Sequence, residues 1–485
     1  MTAQLRLLSF APALLATITV YSTVLLNADL IAPSLAVPSA AIATLAIVAG
    51  TWRFAHVLAR YGARFAARLD LGSAPGWLAA MLILGVALRL LWVAAAGIAM
   101  KSDGITYYFM ARQLFEHGFY ADSLGDRAYW PPGLPLVYYG LFGMLGVSAW
   151  IPVVANLLLF AVTLCSVYAA GVGLFGERAA RLATLLATLW PNFIFSAASP
   201  SKEMLLTALL SLIVWLLVAS WGKFSSGAVL ALSACAGIVL GLASLAQPSM
   251  LLFPAIVGLA MLAQGFSTRS FVIRFLVLIA AMIVAVAPWS MRNYGVFRQF
   301  VPISTNGGDV FYRANNPLTT GGYTARGERD LRDLQIGEVE RSRVGYEWGK
   351  AWVRENPGAF LALAAKKAVL FLGDDAIGAY ESLKRGEDRN STAYVAAKAF
   401  SNGFWLLIWA AILAGWRVHK GLLGQPRAAI LSLAMIYLLA IDCVFESGGR
   451  HHVPLVGVLA ILASVIAVPA DPRLLPAKRL QMVAG

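Results

Sequence analysis

Residues 182–221 read LATLLATLWPNFIFSAASPSKEMLLTALLSLIVWLLVASW, two apolar runs on either side of a polar tip, Ser199-Pro200-Ser201-Lys202-Glu203. Each run approaches the roughly 20 apolar residues that carry a helix across hydrocarbon. The pair predicts a tight helical hairpin turning at Pro200, where a missing N–H costs least. Pro248 marks a second such turn, between runs 228–247 and 249–264. Further apolar runs lie near 7–27, 34–52, 76–99, 148–175, 271–291, 398–416, 428–444 and 453–469. The length rule therefore predicts about twelve spans.

Composition agrees. Of 485 residues, 60% are apolar and 13% charged, and the mean hydropathy is +0.74. Soluble domains run at roughly 45–50% apolar and about 25% charged, so a soluble enzyme, a disordered chain and a disulfide scaffold are excluded. The cysteines (Cys165, Cys235, Cys443) sit apart within apolar runs and make no disulfide framework. The histidines (His56, His117, His419, His451, His452) form no HExxH or comparable ligand spacing, so no metal site is expected.

Charge sets the orientation. Arg53, Arg60, Arg64, Arg68, Arg178, Arg181, Lys223, Arg269, Arg274, Arg417, Lys420, Arg427, Arg473, Lys478 and Arg479 fall on one side when the spans are threaded in order. By the positive-inside rule that side is the cytoplasm, with both termini there. The net charge of +14 is then topogenic, and no water-exposed basic domain is left for nucleic acid. The first run reads as a retained anchor, since no A-x-A site closes it. Residues 53–70 interleave arginines with Phe54, Val57, Phe65 and Leu69, the pattern of an interfacial helix or of a plain stop signal. Two stretches, 100–147 and 292–397, emerge on the other side. Within the second, 358–372 (GAFLALAAKKAVLFL) resembles a span, but Lys366 and Lys367 at its middle favour a helix lying in the outer interface.

Several residues of these outer segments can do chemistry. Asp103 follows the third span and precedes Tyr107 by one turn; it is either a helix cap or a carboxylate awaiting a partner at membrane level. Trp130-Pro131-Pro132-Gly133-Leu134-Pro135 is a rigid turn, part of an aromatic belt or of a sugar-binding wall. Lys202 and Glu203 pair a cation with an acid. Arg292 and Tyr294 end the ninth span, Asn306 opens an Asn- and Gly-rich turn, and Arg450 with His451 precedes the last span. Asp103, Lys202, Glu203, Arg292 and Arg450 thus share one membrane depth. Acids beside several cations suit transfer from a lipid phosphate: the acid takes an acceptor proton and the cations hold the departing phosphate. Such a leaving group is already a weak base, so the two-carboxylate arrangement of glycoside hydrolysis is not required.

The combination of Asp103, the following PPG turn, Pro200…Glu203, PWSMRNYGVFRQFVPISTNGG, WVRENPGAFLALAAKKAVLFL and GRHHVPL resembles the GT-C glycosyltransferases of the protein-mannosyltransferase/aminoarabinose-transferase type (glycosyltransferase family 39-like). The resemblance covers roughly 76–469 and is carried most specifically by the PWxxRNY…ISTNGG stretch. It implies an all-α polytopic membrane protein, a GT-C-like bundle of about twelve helices with interfacial helices in two large extracytoplasmic loops. It divides the chain into 1–75 (two additional helices and a basic segment), 76–291 (the core), 292–397 (the loop region) and 398–485 (the last helices and a short tail). It further implies a polyprenyl-phosphate sugar donor, a lipid, glycan or protein acceptor, and an inverting displacement on the periplasmic face of a bacterial inner membrane. Asp103 and Glu203 would be catalytic, and Arg292, Arg450 and Lys202 would bind the donor phosphate. Tyr107, Trp130, Pro132, Tyr294, Asn306 and His451 would line the cavity. No cofactor is required, and a divalent metal stays open. Trp130, Gln247 and His451 depart from the Lys, Arg and Tyr common at the matching positions.

A lipid-linked polysaccharide polymerase or ligase shares the setting and the donor class, but the Asp103-first order of motifs speaks against it. A twelve-helix transporter or flippase should show two similar halves and small external loops, whereas here the long loops are external and lopsided. Cysteines introduced at Asp126, Lys202, Asp309 and Glu446 should all react with an impermeant maleimide from the outer side of sealed cells. Labelling of any of them only from the cytoplasm would break this topology.

Overall fold

Apolar chain in lipid has no water to satisfy its amides, so the backbone must close its hydrogen bonds on itself. In the computed structural model every regular element among the described residues is helical. Residues 3–27, 35–70, 72–222, 226–323, 331–383 and 391–469 are described. Lys223, the charged run from Arg326 to Asp330, and Asp471, Arg473, Lys478 and Arg479 lie outside them.

In chain order the helices are α1 (Ala3–Leu26), α2 (Ala36–Arg68), α3 (Ala74–Ala96), α4 (Ser102–His117), α5 (Gly133–Leu145), α6 (Ile151–Phe175) and α7 (Glu177–Leu189). Then come α8 (Pro191–Phe195), α9 (Lys202–Ser220), α10 (Ser226–Ala246), α11 (Phe253–Ala263), α12 (Thr268–Phe297) and α13 (Gly307–Ala314). The chain closes with α14 (Glu338–Glu355), α15 (Pro357–Leu372), α16 (Ile377–Leu383), α17 (Thr392–Leu423), α18 (Ala429–Val444) and α19 (Val456–Ala463). Ten segments among the described residues are long and apolar enough to cross a bilayer: α1, α2, α3, α6, α9, α10, α12, α17, Pro426–Val444 and Gly449–Ala467. The chain is an integral membrane protein.

Two of the twelve expected spans are not single helices. Run 182–199 breaks at Trp190, which is extended (ψ 112°) ahead of Pro191, because a residue before proline is driven out of the α region. Gln247, likewise extended before Pro248, leads into a 3₁₀ turn at Pro248–Leu252 and the short α11. The expected hairpins are accordingly replaced by other packing. α7 lies on α6 and α19, α9 on α6 and α10, and α11 on α18.

Three local expectations also change. The basic stretch after the second span continues α2 without interruption, burying Ala55, Ala59 and Ala66 and exposing Arg53, Arg60, Arg64 and Arg68. The Asn- and Gly-rich turn after the ninth span is largely helix, α13. α15 is a helix of 16 residues, and Lys367, one of the two lysines that argue for placing it in the outer interface, is turned into the protein. Lys367 is fully buried and donates to the Asn315 side-chain oxygen (3.1 Å) and the Val444 carbonyl (3.4 Å). Burial pushes its ammonium down to about 8, against the opposing pull of Cys443, Asp442 and Glu446.

Inside the bundle α3 buries Arg89 completely. Its guanidinium lies 3.6 Å from the Phe160 ring centre and 5.0 Å from that of Phe193. Nη1 donates to the carbonyls of Gly85 (3.1 Å) and Thr188 (3.5 Å). Thr188 stands in the last turn of α7, whose carbonyls the break at Pro191 leaves without helical donors.

The 292–397 region is tied together where α13 crosses α14. A Cβ on Gly308 would overlap the Ser342 carbonyl oxygen, so the two backbones touch. Gly308→Ala should therefore destabilise the protein by about 1–3 kcal/mol, read as a lower melting temperature in detergent. An unchanged melting temperature would contradict the close crossing.

Candidate active site

The site begins at the N-terminus of α4. Lys101 occupies the cap position, and Asp103 lies within the first turn, so Asp103 is not the cap itself. Its neighbour Gly104 sets its place: a Cβ there would stand 2.6 Å from the Pro200 carbonyl oxygen. Glycine thus lets α4 rest on the polar tip that carries Lys202 and Glu203. Asp103, Tyr107, Lys202, Glu203, Glu381 and Arg450 line one cleft.

Arg450 comes from the 3₁₀ turn Gly449–Leu455. Its Nη1 donates to Asp103 Oδ2 at 2.8 Å, and its Nη2 lies 3.6 Å from Glu446 Oε1. Glu446 also meets Arg313 at 3.0 Å, Arg313 meets Asp309 at 3.3 Å, and the Tyr129 hydroxyl donates to Asp309. Charges therefore alternate from Asp309 through Arg313, Glu446 and Arg450 to Asp103. Burial alone would raise the Asp103 pKa, but Arg450, Lys202 and Arg313 together hold it below the ordinary carboxylate range. Glu381 is the opposite case. Burial raises its pKa and the nearby Glu203 and Asp103 add to the rise, which Arg450 only partly offsets. Lys202 donates to the Gln247 side-chain oxygen at 2.9 Å, and Ser201 donates to Glu203 at 3.0 Å.

A buried polar floor fixes this cleft. Asp375, fully buried, accepts from Trp190 Nε1 (2.7 Å) and from the Asn192 amide. His452 Nδ1 bonds the Phe371 carbonyl, so it must donate, and Nε2 lies 3.1 Å from Asp375. Asp375 and His452 therefore hold one proton between them. Asn192 also accepts from the Gly378 backbone N–H at 2.7 Å, which seats α16 and hence Glu381.

Of the residues expected from sequence, Asp103, Tyr107, Lys202, Glu203 and Arg450 come together. Arg292 stands elsewhere, donating to the carbonyls of Arg127 (2.8 Å) and Tyr120 (3.1 Å) with its guanidinium 4.8 Å from the Trp289 ring centre. Trp130 lies behind Tyr107, edge-on at 5.4 Å, and donates to Asp122. Pro132 precedes α5, Tyr294 is exposed on α12, and Asn306 precedes α13, accepting from Ser304. His451 sits behind Arg450. Sequence reasoning passed over Glu381, one acid in an acid-rich stretch, and Arg313, whose partners are far away in sequence. Among the described residues no three His, Cys, Asp or Glu side chains gather as a metal would need.

The sequence matches no protein-family model and no curated protein. Solved structures do resemble the fold. The apo oligosaccharyltransferase of Archaeoglobus fulgidus has a TM-score of 0.50 at 14% identity, over 80% of this chain and 50% of that one. The fold is similar to that of a GT-C glycosyltransferase. The archaeal oligosaccharyltransferase AglB from Archaeoglobus fulgidus, in complex with an inhibitory peptide and a dolichol-phosphate, has a TM-score of 0.48 at 12% identity, covering 80% and 50%. ArnT from Cupriavidus metallidurans bound to undecaprenyl phosphate has a TM-score of 0.44 at 13% identity, covering 82% and 78%. The present chain spans about half the length of the archaeal protein.

Because Arg292 ties α12 to the carbonyls of the 100–147 segment, Arg292→Ala should lower the melting temperature in detergent by several degrees, the effect of about 1–3 kcal/mol. An unchanged melting temperature would show that these two bonds do not hold the segment in place.

Proposed function

We propose that this protein is a membrane glycosyltransferase that takes its sugar from a polyprenyl-phosphate carrier and passes it to a lipid, glycan or protein acceptor. The observation that carries the reading is the single cleft holding an ionised carboxylate, Asp103, against Arg450 and close to Lys202. The likeness of fold to an oligosaccharyltransferase supports it. The expected setting is the periplasmic face of a bacterial inner membrane.

The chemistry follows from the groups present. Asp103 accepts the proton of the acceptor O–H as that oxygen attacks the anomeric carbon. The bond from that carbon to the phosphate oxygen breaks, and its electron pair leaves on the polyprenyl phosphate, inverting the anomeric centre. Arg450 and Lys202 stabilise the phosphate charge as it grows, which preorganised cations do without reorganisation. Glu203 holds the acceptor beside Asp103, and Tyr107 closes the wall.

Asp103→Asn should leave a folded protein whose transfer from a polyprenyl-phosphate sugar falls by about 100-fold or more; wild-type turnover would reduce Asp103 to a structural role. Since the folded Asp103 pKa is depressed, the base should stay ionised from neutral pH down into the acid range. Activity should then fail only below the ordinary carboxylate pKa, about 3.9. Arg450→Met removes the strongest influence holding that pKa down, so the acid limb of the residual activity should move to higher pH. A fixed limb would show that another group titrates.

A further inference from the structure

We infer that His451 is the positioning residue that aims the Arg450 guanidinium at the donor phosphate; this rests on the proposed role of Arg450 as a phosphate ligand. His451 does not line the cleft, so it can act only through its neighbour. Arg450 Nε lies 3.2 Å from His451 Nε2, and His451 Nδ1 lies 2.6 Å from Asp442 Oδ1. An arginine Nε always carries a hydrogen, so Nε2 must offer its lone pair and the ring proton must sit on Nδ1. Asp442, nearly buried on α18, accepts that proton's hydrogen bond and fixes both tautomer and ring plane. A carboxylate orients a metal-binding imidazole in the same way, with a guanidinium here in place of the metal.

The arrangement matters because Arg450's other contacts are replaceable. Its Nη1 is taken by Asp103 at 2.8 Å and its Nη2 approaches Glu446 at 3.6 Å. A phosphate entering the cleft competes for both terminal nitrogens, while the Nε bond points away from the cleft and survives. Without it the planar fork is free to turn toward Glu446.

The test is undecaprenyl phosphate binding to the purified full chain in detergent, followed by native mass spectrometry at a single fixed pH. His451→Gln offers an amide oxygen that accepts from Arg450 and should match wild type. His451→Phe should bind about tenfold more weakly, with an unchanged melting temperature. Wild-type affinity in folded His451→Phe, or an equal loss in His451→Gln, overturns the inference alone; should His451→Phe fail to fold, His451→Leu takes its place. Absence of wild-type binding overturns the glycosyltransferase reading and this inference with it.

Discussion

The bond between Asp103 and Arg450 is the contact around which the cleft is organised. Bringing a carboxylate and a guanidinium out of water costs several kcal/mol per ion unless geometry and further partners compensate. Compensation comes from the alternating series Glu446, Arg313 and Asp309 behind Arg450, and from His451 at its Nε. The result is a carboxylate kept ionised while partly buried, the state that a proton acceptor needs. In the resting protein base and cation satisfy one another. On the function proposed above, substrate groups have to replace that mutual contact, and the pair acts as an internal stand-in for them.

A bundle of unbroken spans would have no polar cleft to place such a pair in. Here the helices are interrupted where the site is needed, at Trp190-Pro191, at Gln247-Pro248 and in the 3₁₀ turn from Gly449. Each interruption frees backbone groups that must find partners. Asn156 donates to the carbonyls of Ser196, Ala197 and Ser199 at 3.2, 3.3 and 2.9 Å. Asn192 takes the Gly378 N–H, and Gln247 takes Lys202. The polar residues buried around the cleft are thus the counterpart of its broken helices.

Much of this was legible in the sequence, for definite reasons. Hydrophobic length identified the spanning segments, because the bilayer imposes one thickness on all of them. Ten segments among the described residues keep that length as single elements; composition does not register that Pro191 and Pro248 break the other two expected runs. Asp103, Lys202, Glu203 and Arg450 were found because each sits at the end of an apolar run, where a charge is conspicuous. Arg292 met the same criterion, yet its guanidinium is engaged by carbonyls of the 100–147 segment, a tertiary fact with no sequence signature. Glu381 and Arg313 were hidden for the reverse reason: charge is common around them, and only folding sets them apart. Lys366 and Lys367 argued for an interfacial helix on charge alone, and charge alone does not reveal the Asn315 and Val444 oxygens that receive Lys367.

Arg89 carries a consequence for how the chain is made. A translocating helix with an arginine inside it pays about 2.5–3.5 kcal/mol to leave the translocon for lipid. Within α3 its Nη1 reaches only the Gly85 carbonyl; its other carbonyl partner is Thr188, 99 residues downstream, and its ring partners lie on α6 and α8. When α3 emerges from the ribosome none of these downstream partners exists. Alone in lipid α3 therefore carries a cost that packing against α6, α7 and α8 removes.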